Sequence, residues 1–345
     1  MHSDLVLVTG GSGFIGGHCI LQLIRAGYRV RTTLRSAKRE PEVRALIERQ
    51  GIDPITTLSF AQAELCDDAG WAEAMAGCTY VLHVASPFPS APPRNQDEVV
   101  LPARAGMLRV LRSARDAGVR RVVVTSSLTT ITQGRQIAGR AYTEADWTEP
   151  GEPALSAYVR SKTLAERDAW TFVAEEKSPE LAIINPAVVL GPVLGPDYSP
   201  SVDLVWRLLS GALPLAPRLY YSIVDVRDVV DLQIRAMTNP IANGERFIAV
   251  AGNTMSILEI GQTLRASLGD RARHVPRWQM PNWAMRLLAL ASPTANQVKD
   301  ELDVRRVASS AKARSLLGWS PRSNQEAIIA AGESLLGLRF ARTGS

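Results

Sequence analysis

Strand, glycine turn and helix follow one another without a break near the start of this chain, and that succession constrains the fold more than any other feature. Residues 4–8, DLVLV, read as a short buried strand. They run into TGGSGFIGGHCILQLIRAGY, with glycines at Gly10, Gly13 and Gly16 ahead of an apolar helical pattern. Glycine is needed there because the backbone must turn tightly, approach a pyrophosphate closely and pack the helix onto the strand. The helix N-terminus is then left facing the phosphates. The spacing is G-x-x-G-x-x-G rather than G-x-G-x-x-G, so the strand before it and the helix after it mark the segment as a dinucleotide-binding loop.

The first helix closes near Gly27, a helix C-cap residue. The next strand, YRVRTTLR, ends at Arg35 and is followed by Ser36, Lys38 and Arg39. In a dinucleotide fold an acid at that strand end bonds the adenosine ribose, whereas an arginine accommodates a 2'-phosphate. No acid stands there, which favours NADP over NAD. The alternative for Arg35 to Arg39 is a solvated, basic helix start.

Helical and strand patterns then alternate. EPEVRALIERQ is followed by a strand near Ile55 to Ala61, DDAGWAEAMAG by the strand TYVLHVA, and LPARAGMLRVLRSARDAG by the strand RRVVVTSS. Such alternation, with near-continuous apolar strands, predicts an α/β fold with a doubly wound parallel sheet and helices on both faces. Ligands bind these sheets beyond the carboxyl ends of the strands, where GGSGFIG, Ala85-Ser86-Pro87 and Ser126-Ser127 fall. A further strand, LAIINPAVVLGP, precedes a more irregular region in which SIVDVRDVVDLQIRAM and GERFIAV read as returning sheet elements. The expected division is a dinucleotide-binding domain from 1–191 and 223–251, with a smaller C-terminal substrate-binding lobe from 192–222 and 252–345.

Tyr158 and Lys162 stand four residues apart in AYVRSKTLAE. On a helix that spacing stacks a phenol and an ammonium on one face, and the ammonium can draw the phenol's pKa down toward working pH. A tyrosine so tuned is a general acid for a carbonyl. The plain alternative is a core tyrosine beside a surface lysine. What favours the chemical reading is the glycine loop upstream and the serine pair ending the strand between them.

Composition sets further bounds. At 345 residues and 46% hydrophobic content, the chain can bury a large core. The net charge of +5 comes from arginines scattered along the chain rather than clustered with aromatics, so nucleic acid is not an expected partner. Cys19, Cys66 and Cys78 form no C-x-x-C and have no nearby histidine pattern, which suits a reducing compartment and no metal. Residues 1–4 leave no room for a cleavable signal and no stretch reaches the length of a membrane span, so a cytoplasmic protein is expected. His83, inside the apolar TYVLHVA, reads as a satisfied core histidine because no carboxylate or second histidine is spaced to partner it.

Taken together, VTGGSGFIGGHCILQLIRAGYRVRTTLR, AELCDDAGWAEAMAGCTYVLHVASP, VVVTSS, YVRSKTLAE, INPAVVLGP, VDVRDVVDLQIRAM and LGWSPRS span nearly the whole chain. With them the chain resembles the extended short-chain dehydrogenase/reductase superfamily, in its dihydroflavonol-4-reductase-like and aldehyde or carbonyl reductase branch. The resemblance implies a Rossmann fold of the extended type, NADP(H) as cofactor and a catalytic group of Ser127, Tyr158 and Lys162. Ser127 is chosen over Ser126 because the family's active serine is the last of its run. The resemblance further implies cofactor contacts from Gly10, Gly13, Phe14, Ile15 and Gly16, and a 2'-phosphate clamp from Arg35 with Lys38. Glu64 and Leu65 match an Asp-Leu pair near the adenine, with Glu64 departing from the usual aspartate. Val84, Ala85 and Ser86 match the strand end at the nicotinamide ribose, Pro186 and Val188 the nicotinamide face, and Ser201 a downstream serine near the cofactor. Thr132 stands where the plant flavonoid reductases carry an asparagine that grips the flavonoid ring, which argues against a dihydroflavonol substrate.

For the substrate the candidate pocket residues are Phe88, Pro89, Thr132, Val189, Tyr220, Tyr221, Met280 and Trp283, a largely apolar set suited to aromatic or aliphatic aldehydes and ketones. Any one of them read singly is better explained as core. The expected activity is NADPH-dependent carbonyl reduction of a small molecule. Its rivals are a 3β-hydroxysteroid or other alcohol dehydrogenase working oxidatively, a nucleotide-sugar epimerase or dehydratase, and a non-catalytic NADP sensor. A monomer and a homodimer through 101–117 and 156–173 are both compatible with the sequence.

Overall fold

The computed structural model describes residues 4–87, 95–134, 137 and 139–343. The first half of the chain runs β1 (Leu5–Thr9), α1 (Phe14–Arg25), β2 (Arg29–Leu34), α2 (Glu40–Glu48), β3 (Leu58–Gln62), α3 (Trp71–Met75), β4 (Tyr80–His83), α4 (Asp97–Asp116) and β5 (Arg121–Thr125). After it come α5 (Thr129–Thr132), α6 (Ala157–Glu176), β6 (Glu180–Pro186), β7 (Val188–Leu190), α7 (Pro200–Leu209), β8 (Tyr220–Tyr221), β9 (Ile223–Asp225), α8 (Val226–Thr238) and β10 (Glu245–Ala249). The last stretch holds β11 (Met255–Ser256), α9 (Ile257–Leu268), α10 (Asn282–Ala291), α11 (Pro293–Val298), α12 (Ala311–Leu317) and α13 (Asn324–Thr343).

Seven strands form one parallel sheet in the order β10-β6-β5-β4-β1-β2-β3. The order reverses between β1 and β4, which opens a crevice at their carboxyl ends. Alternation along β1 shows why both faces must be covered. Val6 and Val8 enter a core shared with α1 and α8, while Leu5 and Leu7 enter a second core under α3, α4 and α6. The first of these cores continues without interruption to Val202 and Leu208 of α7, Ile260 and Leu264 of α9 and Ile328 of α13. Helices α7, α9 and α13 are therefore built onto the sheet, whereas Met285 and Ala289 of α10 pack with Ala295 of α11 in a separate small cluster.

Three local expectations shift. The strand expected from Ile55 begins only at Leu58. LAIINPAVVLGP divides after Pro186: β6 stays in the sheet, whereas β7 leaves it to pair with β9. Proline has no N–H for a ladder, and the strand ends where that donor runs out. SIVDVRDVVDLQIRAM likewise divides into β9 and α8, with the Asp225 side chain accepting from the Arg227 N–H to cap the helix.

Arg121, only 2% exposed, ties the sheet to the end of α8. Its Nη1 donates to the carbonyls of Ala236 at 2.8 Å and Asn239 at 2.6 Å, and its Nη2 lies 2.7 Å from the Glu180 carboxylate. Those carbonyls are the acceptors a helix C-terminus leaves unpaired, and a cation is the favoured partner there. Replacing Arg121 with Met strands them and Glu180 together. The expected cost is about 3 kcal/mol, read as a lower urea midpoint, with Arg121→Lys losing less.

Candidate active site

The glycine loop lies where β1 passes into α1. Gly10 has φ +73°, a conformation only glycine adopts without strain, and a Cβ there would meet Ala85 at 3.1 Å. A Cβ on Gly16 would stand 2.2 Å from the Gly10 carbonyl oxygen, so the helix packs on the turn at glycine-only distance. Gly11, which the motif spacing does not single out, is equally constrained: its Cβ would fall 2.1 Å from Thr32 Oγ1. Gly13 is the N-cap of α1, and its N–H donates to the Gly10 carbonyl at 3.0 Å. Phe14 is buried edge-on to His18, while Ile15 packs against the core.

Around the loop, Arg35 and Lys38 are exposed at the end of β2. Arg39 turns back: Nη1 donates to Ser12 Oγ of the loop at 3.1 Å, and Nη2 reaches Asp197 at 2.5 Å. Glu64 is exposed, its backbone carbonyl accepting from the Trp71 indole at 3.0 Å. Thr9 closes β1 onto β4, its hydroxyl accepting from the N–H groups of Val84 and Ala85, both at 3.0 Å. The same hydroxyl meets His83 Nδ1 at 2.9 Å. His83 is buried and neutral: burial, and then the Lys162 charge, press its pKa down to about 3.

Ser127 stands just past the end of β5. Its position follows from β6, because the N–H groups of Ser126 and Leu128 both donate at 2.8 Å to Ile184 and Pro186 carbonyls. Ser127 Oγ accepts from Thr129 Oγ1 at 2.9 Å and hydrogen-bonds the Tyr158 phenol. Tyr158 enters through α6, whose N-cap Ser156 accepts from the Val159 N–H at 3.3 Å. Lys162 lies one turn on, with Nζ donating to the Thr125 carbonyl at 3.4 Å. Three groups separated by 35 residues in the chain are thus brought to one strand end.

Burial raises the Tyr158 phenol above its ordinary value, with the Ser127 hydrogen bond pulling the other way. The phenol therefore keeps its proton at neutral pH, as a proton donor must. Tyr158 as a whole nonetheless keeps 41% of its surface exposed. Lys162 is pressed down to about 8 by burial, with the Glu166 charge opposing.

Leu65, Ala85 and Ser86 share a small cavity with His83, Thr125 and Lys162. Pro186 and Val188 sit at the divide between β6 and β7, and Ser201 in the first turn of α7. The proposed substrate residues scatter. Thr132 is 3% exposed and its hydroxyl is spent on the Leu128 carbonyl at 3.2 Å. Val189 is packed inside the central core, where its apolar neighbours account for it. Tyr220 and Tyr221 form β8, Arg305 lying 4.1 Å over the Tyr220 ring. Met280 joins that layer through its N–H, which donates to the Ala216 carbonyl at 2.8 Å. Trp283 is 68% exposed on α10. Phe88 and Pro89 lie outside the described residues.

Sequence reading missed a buried polar cluster behind the catalytic group. Glu166, 1% exposed, takes Arg246 Nε on one oxygen at 2.6 Å. Its other oxygen accepts from Thr130 Oγ1 at 2.9 Å, Asn185 Nδ2 at 2.9 Å and the Ser126 hydroxyl. The available signal was position: Glu166 follows Lys162 by the same interval that separates Lys162 from Tyr158.

Residues 6–251 match the NAD dependent epimerase/dehydratase family. A maize dihydroflavonol 4-reductase is 34% identical over 252 residues, covering 69% of this chain and 68% of its own. A cinnamoyl-CoA reductase from Medicago truncatula is 30% identical over 313 residues, covering 87% and 95%. In solved structures, yeast methylglyoxal/isovaleraldehyde reductase Gre2, complexed with NADPH, superposes with a TM-score of 0.80 at 23% identity, covering 97% of this chain and 99% of that one. This last likeness is one of fold. With the seven-stranded sheet and the glycine loop, these matches place the chain in the NAD dependent epimerase/dehydratase family, among the extended short-chain dehydrogenases/reductases that its motifs resemble.

Proposed function

We propose that this protein is an NADPH-dependent reductase of aldehyde and ketone carbonyls, with Ser127, Tyr158 and Lys162 as its catalytic residues. The observation that carries the reading is the meeting of a protonated, Ser127-bonded phenol and a desolvated ammonium beside the glycine loop at one sheet edge. The names of the relatives support it, since each one quoted above is a reductase.

The residues present fit a dinucleotide. Gly10, Gly11 and Gly16 pack the turn against Ala85, Thr32 and the loop's own backbone at distances that admit no Cβ, and the turn opens onto the N-terminus of a helix. Arg35 and Lys38 are exposed for a 2'-phosphate. Bound there, NADPH supplies the hydride. The chain does the rest: Tyr158 donates its phenolic proton to the substrate oxygen, Ser127 orients that oxygen, and Lys162 holds the ribose and supplies positive charge beneath the phenol. Hydride on carbon and proton on oxygen together give the alcohol. We further assign substrate covering to residues 192–222 and 252–345, with Tyr221 and Met280 the favoured wall residues because both are half-buried.

The epimerase reading gains nothing from the site. A diphosphate-linked sugar needs a cluster of basic groups in its pocket, and the proposed wall residues are aromatic and aliphatic.

Tyr158→Phe is expected to cut turnover by about a hundredfold or more while NADPH still binds, measured by cofactor fluorescence beside absorbance loss at 340 nm. Unchanged turnover would remove Tyr158 from the mechanism. Carbonyl reduction should also decline as pH rises through about 8, where Lys162 loses its charge, before the phenol itself ionises. A profile flat through pH 9.5 contradicts that assignment. Arg35→Ala should raise KM for NADPH by about tenfold to a hundredfold and leave KM for NADH nearly unchanged; equal losses with both cofactors would show that Arg35 does not read the 2'-phosphate.

A further inference from the structure

Tyr158, Lys162 and Glu166 recur at four-residue intervals along α6, so the three side chains line one face of the helix in successive turns. The first two belong to the proposed chemistry. The third is a buried carboxylate that the mechanism above does not use. It lines the same small cavity as Lys162, together with His83, Thr125 and Ser126. A carboxylate at 1% exposure is costly unless fully bonded, and here every partner is a donor: Arg246, Ser126, Thr130 and Asn185.

Those donors are not scattered. Ser126 precedes the catalytic serine. Thr130 Oγ1 also contacts the Ser127 carbonyl at 2.9 Å, and Asn185 Nδ2 reaches the same carbonyl at 3.3 Å. Arg246, on β10, is itself clamped by the Glu144 carbonyl at 2.9 Å and by the Trp147 ring, 3.6 Å from its guanidinium carbon. One carboxylate therefore joins the backbone that carries Ser127 to the helix that carries Tyr158 and Lys162.

We propose that Glu166 is a positioning residue for the catalytic group: anchored by Arg246, its carboxylate holds the Lys162 ammonium in its charged form and fixes the strand end from which Ser127 projects. The inference rests on the catalytic reading of Lys162 given above. The other groups around Lys162 leave this task to Glu166. From β4 it meets His83, which is neutral; from β5, the Thr125 carbonyl; from α4, the apolar Ala103 and Met107; and on its own helix, the protonated Tyr158. Arg246 on β10 carries the same sign as Lys162 and is paired with Glu166. Glu166 is the opposite charge acting on the ammonium.

The test is the pH profile of kcat/KM for NADPH-dependent carbonyl reduction in the wild type, Glu166→Gln, Glu166→Asp and the double variant Glu166→Gln/Arg246→Met. The double variant removes both ends of the buried pair and so avoids leaving Arg246 uncompensated, which protects the measurement should the single variant fold poorly. Loss of an opposite charge at short range lowers a lysine pKa by about one unit or more. Glu166→Gln should therefore fall within about threefold of the wild type at pH 6 and about tenfold further below it at pH 8.5, with Glu166→Asp recovering part of the alkaline activity and the double variant, which also loses the like charge of Arg246, showing a smaller shift in the same direction. A loss of equal size at every pH would make Glu166 merely structural and overturn the proposal, as would an unshifted profile. A wild type that reduces no carbonyl, or a Tyr158→Phe variant with full activity, would instead overturn the catalytic reading on which the inference rests.

Discussion

In a parallel sheet every strand ends on the same side, and that single constraint decides where the chemistry of this protein can be. β1 delivers the glycine loop, β4 delivers Val84 to Ser86, β5 delivers Ser126 and Ser127, and all of them emerge at one edge because the crossover helices return the chain to the opposite one. The helices are not passive returns. Because α4 and α6 pack on each other over the face onto which Leu5, Leu7, Val122 and Val124 project, α6 lies along that face beside β6, and Lys162 reaches the Thr125 carbonyl at the end of β5. The hydrophobic demand of the sheet thus sets the register of the phenol.

Arginine replaces hydrophobic contact where the sheet meets its surroundings. Arg121 and Arg246, 2% and 7% exposed, sit on neighbouring parts of the sheet and serve different ends. Arg121 satisfies the carbonyls that α8 leaves open, a debt every helix terminus carries. Arg246 satisfies a carboxylate that has been drawn into the interior by its position on α6. Guanidinium suits both tasks because its planar fork can serve several acceptors at once, which an ammonium on a flexible stem cannot do with the same geometry. The strong bias toward arginine among the basic residues therefore has at least two interior sites to account for it.

The parallel sheet and the glycine turn were legible in the sequence because they depend on short-range patterns: runs of β-branched residues, helical periodicity and glycine where no Cβ fits. That Tyr158 and Lys162 share one helix was legible for the same reason. What could not be read were features decided by tertiary partners. Pro186 sits inside an apolar run that looks continuous, and only the competing partner β9 turns its second half out of the sheet. The spacing of Tyr158 and Lys162 supplies a charge argument for the phenol but carries no information on its desolvation, which acts in the opposite direction. The burial of Val189 and Thr132, one an apolar candidate and the other a match by position, is set by neighbours that the sequence does not display. Arg39 was visible as part of a basic run, yet its turn toward Ser12 and Asp197 depends on a loop more than 150 residues away.

The N-cap at Ser156 holds more than a helix end. Because proton donor, ammonium and buried carboxylate ride on consecutive turns of α6, any twist or slide of that helix moves all three as one rigid comb. Substitutions that reshape the substrate wall are free to vary only while they leave the comb's pitch alone. A change that unseats its first turn would detune donor, charge and anchor together, and no compensating substitution at a single one of them could restore the set.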